Sequence, residues 1–222
     1  MHIPDGFIDG PTSVSAGVLA VAGVGASIRV AGRKLEEHEV PLAGLTAAFV
    51  FAVQMLNFPV ASGTSGHLLG GVLAAVLLGP ATGAVCVTVV LFVQALLFAD
   101  GGLSALGLNV VNMALITAFG GYAVFVLLRR LLPNTAGAIA VASGVAAGFG
   151  VVLASLAFSV EYAIGGMGGA SVGTVATAMV GVHGLIGIGE GVITGLTIAT
   201  VLASRPDLVR GAASVPSLVP AR

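Results

Sequence analysis

The chain has 222 residues, of which 57% are hydrophobic and only 8% are charged, and its formal net charge is −1. Soluble domains carry roughly 25% charged residues, so this composition excludes a water-facing globule. The mean hydropathy of +1.13 indicates an integral membrane protein. The apolar runs are continuous over about 20 residues, which suits membrane-spanning helices and not the roughly ten-residue alternating segments of a β-barrel. We therefore predict an all-α membrane protein.

Seven apolar segments predict a compact bundle of about seven transmembrane helices. They cover residues 13–32, 41–56, 66–79, 80–99, 104–132, 136–163 and 174–203. The third segment is short, and only Gly79-Pro80 separates it from the fourth, so helices 3 and 4 either both span the membrane or form a broken hairpin. We assign residues 1–204 to a single transmembrane domain and residues 205–222 to a loose cytoplasmic tail.

The basic residues predict the orientation of the bundle. With seven spans, every lysine and arginine follows helix 1, 5 or 7 and falls on one side: Arg29, Arg33, Lys34, Arg129, Arg130, Arg205, Arg210 and Arg222. The positive-inside rule makes that side cytoplasmic in the cell membrane and places the N-terminus outside. No charged and apolar leader precedes the first span, so we expect no cleaved signal peptide. No phosphate-binding loop is present, so we expect no ATP hydrolysis by this chain alone.

The second residue is a histidine, which gives the chain terminus a chelating pattern. The α-amine of Met1, the deprotonated amide of His2 and the imidazole Nδ1 of His2 can together occupy three corners of a square plane. Nitrogen-rich square-planar sites favour Ni(II) or Cu(II), with Co(II) also accommodated. Because His2 is bulky, we expect Met1 to be retained with a free amine. The alternative is an ordinary surface histidine beside an initiator methionine.

A polar, glycine-punctuated loop leaves helix 2 and returns to the membrane with His67 at the start of helix 3. Such a loop at membrane depth is tolerated where it is buried in protein or lines a cavity. His67 and His2 are the two histidines predicted on the external side, so His67 would supply the fourth nitrogen. The alternative is a capping or interfacial histidine. Asn57 and Ser65 of the same loop are candidates for positioning the ligands.

Two later helices carry polar groups within apolar sequence. Asn109 and Asn112 are three residues apart and share a helix face, where they either bridge helices, hold the N-terminal segment or orient ligand histidines. His183 and Glu190 are seven residues apart and also face the same way. An ionised Glu is costly in hydrocarbon, so this pair acts either in metal passage or in helix locking and partner coupling.

The motifs MHIPDGF, QMLNFPVASGTSGHLLG, DGGLSALGLNVVNMA and HGLIGIGEGVITG resemble the CbiM/NikM family, the substrate-binding components of cobalt and nickel energy-coupling-factor (ECF) transporters. The resemblance covers nearly the whole chain. It implies metal ligands at Met1, His2 and His67, with the N-terminal segment folded into the external face. It also implies Ni2+ or Co2+ as the transported substrate and no cofactor of the chain's own.

The same resemblance implies partners: a transmembrane coupling subunit, two cytoplasmic ATPase subunits and a small accessory membrane protein. It predicts a transport subunit that is not an enzyme and binds no nucleic acid. Two alternatives stay open. A stand-alone nickel/cobalt permease would use a cluster of intramembrane ligands, whereas His183 is alone in its span. An intramembrane metalloenzyme would use His183 and Glu190, but the sequence has no HExxH pair.

Overall fold

The computed structural model describes residues 1–60 and 65–212, and within them the chain forms seven main helices. In chain order these are α1 Gly10–Lys34, α2 Val40–Gln54, α3 Gly71–Leu78, α4 Pro80–Leu97, α5 Leu106–Leu131, α6 Ala136–Gly165 and α7 Val172–Ser204. Between α2 and α3, the short strands β1 Phe58–Pro59 and β2 Ser65–Gly66 pair antiparallel. The middle of α5, Val111–Gly121, is wound as a π-helix.

The helices fall on the seven predicted segments, but their lengths differ. Five of them, α1, α4, α5, α6 and α7, are long and apolar enough to cross a membrane. At 1.5 Å per residue, the 15 residues of α2 and the eight of α3 reach about 22 Å and 12 Å, short of a hydrocarbon core of about 30 Å. The predicted third span shortens because residues 65–70 run outside the helix.

The short helix α3 lies inside the bundle, and all eight of its residues are buried. It begins after Gly70 and ends at Gly79, which have φ angles of 74° and 85°, conformations that a side chain would strain. The carboxylate of Glu190 accepts hydrogen bonds of 2.6 Å from the backbone amides of Leu69 and Gly70. A remote acidic side chain thus satisfies amide groups that the start of α3 leaves without helical partners.

Helices α6 and α7 approach each other most closely through glycines. A Cβ added at Gly144 would lie 2.6 Å from the carbonyl oxygen of Gly191, and one added at Gly148 would lie 2.9 Å from that of Gly187. One of these glycines, Gly191, directly follows Glu190 in the sequence. This contact fixes α7, and with it the polar groups on its buried face, against the rest of the bundle.

The loops gather at two ends of the bundle. At the N-terminal end, the first nine residues hydrogen-bond to the turn after α4 and to the end of α6, through Gly102 and Gly165. At the opposite end, Arg210 pairs with Glu39 at 2.7 Å and donates to the carbonyl of Lys34. We call this second end the basic end.

The tail predicted from residue 205 onward is not loose in its described part. Residues Pro206–Leu208 and Arg210–Ala212 form short 3-10 turns. Val209 and Ala212 are buried against the bundle, where they are part of the apolar core around α3 and α5. The remainder of that prediction, residues 213–222, lies outside the described residues, as do residues 61–64 of the predicted polar loop.

Candidate metal site

The first residues of the chain are part of the protein interior. Met1 and Ile3 are fully buried and His2 is 4% exposed. The side-chain amide of Asn109 holds the backbone of Ile3 at two points, accepting from its N–H at 2.8 Å and donating to its C=O at 3.2 Å. Gly102 donates a backbone hydrogen bond of 2.8 Å to the same carbonyl. Of the roles considered for Asn109, the structure shows the one that holds the N-terminal segment.

The turn after α4 fits closely over the N-terminal segment. Asp5 accepts hydrogen bonds of 2.7 and 2.6 Å from the backbone and hydroxyl of Ser104, and these bonds lower the pKa of its carboxyl. A Cβ at Gly102 would lie 2.7 Å from the carbonyl carbon of Pro4 and closer still to the amide nitrogen of Asp5. Glycine is therefore required here by backbone-to-backbone packing.

The segment brings His2 against His67, which is fully buried. Their ring centroids are 4.6 Å apart and their planes differ by 29°. The Nδ1 of His67 lies 2.8 Å from the carbonyl oxygen of Leu68. Because a carbonyl can only accept, Nδ1 carries the hydrogen and Nε2 carries a lone pair in the neutral ring. Within residues 1–60 and 65–212 that Nε2 has no hydrogen-bond partner.

The ring separation limits where the two imidazoles could sit around one metal ion. With bonds of about 2.0 Å, nitrogens at opposite corners of a square are about 4 Å apart, and their rings point away from each other. The centroids would then be well over the observed 4.6 Å. At the same bond length, nitrogens at neighbouring corners are about 2.8 Å apart, and their rings lie side by side. The geometry fits His2 and His67 as neighbours.

An acidic side chain lies close to the imidazole of His2. The carboxylate of Asp100 is 3.6 Å from His2 Nε2 and accepts a 3.3 Å hydrogen bond from Asn57. This position favours the ring hydrogen on Nε2, which leaves Nδ1 free to bind a metal. Burial lowers the pKa of the Met1 amine from 8.0 to about 4, although Asp100 opposes the shift. Burial, and then the charge of the neighbouring amine, lower the pKa of His2 to about 3.

The other predicted positions lie around this pair in different ways. Ser65 belongs to β2 and pairs with Pro59. Asn112 donates a 2.6 Å hydrogen bond to Glu161 of α6, so it bridges two helices. His183 and Glu190 are both buried on one face of α7, as their spacing predicts. The carboxylate of Glu190 is paired with two backbone amides just after His67, and it holds that segment in place.

Two glutamines near the site were not predicted from the sequence. Gln54 donates a 2.7 Å hydrogen bond to the carbonyl of Leu69 and so supports the His67 segment from α2. Gln94 is fully buried one turn before the Asp100 turn, and neither atom of its amide has a partner among the described residues. A glutamine within an apolar run is the signal that could have indicated both positions.

The described residues bring no group of three or more His, Cys, Asp or Glu side chains together in a way suited to hold a metal. The candidate nitrogen ligands are instead grouped at the chain terminus. They are the amine of Met1, the backbone amide of His2 and the imidazoles of His2 and His67. Five helices long and apolar enough to cross a membrane define a multi-pass membrane protein, and the buried terminus with its paired imidazoles makes transition metals the candidate ligands.

Comparisons with known proteins identify the particular family. The family model described as the cobalt uptake substrate-specific transmembrane region, CbiM, matches residues 2–208, and the chain belongs to this family. It is 40% identical to a protein of Archaeoglobus fulgidus named as a fused nickel transport protein, NikMN, over 94% of this chain and 68% of that protein. It is 35% identical to the cobalt transport protein CbiM of Sorangium cellulosum, over 94% of each.

A solved structure described as a truncated transition metal transporter has the same fold. The TM-score is 0.85 at 32% sequence identity, and the match covers 91% of this chain and 99% of that one. The chain is thus a membrane component of nickel/cobalt transport of the CbiM/NikM type. It is a transport protein and not an enzyme, as its sequence predicts.

Proposed function

We propose that the chain is the substrate-specific membrane subunit of an ATP-driven, ECF-type importer and that it captures Ni2+ or Co2+ on the external side of the membrane. The observation that carries this proposal is the burial of Met1, His2 and His67 in one place, with the two imidazole rings 4.6 Å apart. Capture requires that Met1 is the first residue of the mature chain.

Four nitrogens make the proposed square: the Met1 amine, the His2 amide, His2 Nδ1 and His67 Nε2. Neighbouring imidazoles place His67 next to His2 Nδ1, and therefore opposite the His2 amide nitrogen. The tautomers support this set. Nδ1 of His67 donates to the carbonyl of Leu68, which leaves Nε2 for the metal, and the carboxylate of Asp100, 3.6 Å from His2 Nε2, favours the ring hydrogen there and leaves Nδ1 for the metal. Such a plane of nitrogens suits Ni(II) and also accepts Co(II).

The loops at the N-terminal end carry Asp5, Asp9 and Asp100, whereas Arg210 and Lys34 lie at the basic end. The positive-inside rule then supports an external site and a cytoplasmic basic end. Import also needs a source of energy. We propose that a transmembrane coupling subunit, two cytoplasmic ATPase subunits and a small accessory membrane protein supply it as separate chains.

Replacing the loop histidine tests the site. We expect His67→Ala to weaken nickel binding by at least about 100-fold, the upper end of what loss of a mere outer-shell partner costs. Nickel bound per chain after dialysis measures the effect. His38→Ala is the matched control because His38 is half exposed and lies between α1 and α2 at the basic end. Equal loss in both variants, or in neither, would contradict the proposed ligand set.

The pKa values predict a particular dependence of capture on pH. The undocked segment binds more protons than the docked one, because burial lowers the pKa of the Met1 amine to about 4 and that of His2 to about 3. Docking therefore strengthens as pH rises from about 4 to 8 and is lost in acid.

When the segment is already docked at neutral pH, metal binding displaces only the amide proton of His2. We then expect the logarithm of the affinity to fall by about one for each pH unit between about pH 7.5 and 5.5. Isothermal titration in two buffers of different ionisation enthalpy counts the proton released. A slope near two would mean that the segment docks only with the metal, and a slope of zero would contradict amide ligation.

A further inference from the structure

His183 is a fully buried histidine of α7 with one unused nitrogen. Its Nδ1 lies 2.8 Å from the carbonyl oxygen of Met179, one turn earlier in the same helix. The carbonyl can only accept, so Nδ1 carries the hydrogen and Nε2 presents a lone pair. That Nε2 has no hydrogen-bond partner in residues 1–60 and 65–212. A buried polar atom left without a partner destabilises the fold, so a use for this lone pair is expected.

The imidazole of His183 reaches the loop that carries His67. Its Cε1, the carbon between the two ring nitrogens, lies 3.4 Å from the position that a Cβ of Gly66 would occupy. The ring of His183 therefore lies within van der Waals reach of the backbone at Gly66. His183 therefore presents its free nitrogen beside the residue that precedes His67, and His67 has a free Nε2 of the same tautomer.

Helix α7 contacts the His67 segment at two places on one face. His183 lies beside Gly66, and Glu190, two turns later, holds the amides of Leu69 and Gly70. The ring of His183 lies about 17 Å along α7 from its first residue, at 1.5 Å per residue. An ionisable or metal-binding group inside a membrane helix that faces the protein interior marks a substrate pathway by default.

We propose that His183 Nε2 is a further metal ligand, which receives the ion when its bond to His67 breaks on the way inward. This inference rests on the proposed function, because it takes the square at Met1, His2 and His67 as the starting point. A neutral imidazole nitrogen is a suitable ligand for nickel or cobalt. Handing the ion from one imidazole to another avoids passing a bare divalent ion through an apolar interior.

A thiol placed at position 183 reports whether the metal reaches it. In a Cys86→Ala, His67→Ala background, in which His67 no longer holds the ion, His183→Cys is expected to show thiolate-to-metal charge-transfer absorption in the near ultraviolet when excess Ni2+ is added. Thr194→Cys is the matched control, since Thr194 is 2% exposed on the same helix beyond Glu190, and no such band is expected there. Absence of the band at position 183, or its equal presence at 194, would overturn the proposal.

Measuring nickel uptake distinguishes a metal-binding His183 from one that only supports the structure. His183→Gln keeps a donor for the Met179 carbonyl but is a poor metal ligand. In cells that express the chain with its transporter partners, we expect it to retain nickel capture but to lose at least about tenfold in uptake, as when groups that tune a metal site are removed. His183→Cys should recover part of the uptake. Uptake at the wild-type rate by His183→Gln would overturn this inference and leave the proposed function intact. Nickel capture that is unchanged in His67→Ala would instead contradict the proposed function.

Discussion

A chain with two serines added before Met1 is expected to lose at least about a thousandfold in nickel affinity, equivalent to about 4 kcal/mol. The added residues move the free amine away from the His2 amide and open the five-membered chelate ring. Two are needed because a single one would make the histidine the third residue, where the amine, two amides and the imidazole can themselves bind nickel in a square plane. The extension also has no room, because Met1 is already fully buried. Metal analysis of the purified protein measures the loss, and mass spectrometry confirms the mature N-terminus.

The same two serines added after Arg222 are the control for this extension. Both proteins should fold, because the helices pack through their own buried residues, but the N-terminally extended chain should unfold at a lower temperature, since Met1 and Ile3 belong to the buried core. Nickel retained at full affinity by the N-terminally extended chain would show that the terminus is not part of the site.

Gly102→Ala is expected to reduce nickel affinity by about 10- to 100-fold although it alters no ligand, since groups that support metal ligands commonly contribute that much. The new Cβ would lie 2.7 Å from the carbonyl carbon of Pro4 and would contact the amide nitrogen of Asp5. Both neighbours are backbone atoms, which cannot swing aside as the end of a side chain can. The N-terminal segment must lift, and three of the four proposed nitrogens lift with it.

Gly10→Ala is the matched control for that substitution. Gly10 is also a glycine of this end of the bundle, its φ is not positive, and an added Cβ would meet nothing within 4 Å. Its nickel affinity should equal that of the wild type. Protection of the Ile3 amide from hydrogen exchange provides a second measurement, since it should fall in Gly102→Ala and stay unchanged in Gly10→Ala. Full affinity together with full protection in Gly102→Ala would contradict this packing argument.

Hydropathy and segment length predicted the seven helices because a membrane imposes a simple rule on apolar helices, whereas the orientation inferred from the basic residues stays a prediction. They could not predict α3 as a buried half-helix. An apolar segment looks the same whether it faces lipid or protein, and here the deciding partner is the carboxylate of Glu190, which is 121 residues from Leu69. The π-helical turn at Val111–Gly121 likewise leaves no mark in the apolar pattern.

The proposed ligands were recognisable because a terminal Met-His pair is itself a chelating pattern. The structure brings Met1, His2 and His67 together, and their role as metal ligands stays a prediction. The groups that position them were harder to predict. Asn109 was one of several options until its two hydrogen bonds to Ile3 were seen, and Gln54 and Gln94 were not singled out at all.

The hydrogen bonds of the first residues also set an order of assembly. Ile3 emerges first from the ribosome, but its partner Asn109 follows 106 residues later. Glu190, which fixes the His67 backbone, lies in the final helix. At synthesis rates of about 5–20 residues per second, the terminus waits about 10–40 s for its complete surroundings. The proposed metal site is therefore completed only at the end of translation, since a chain that stops before α7 lacks the carboxylate that holds the backbone after His67.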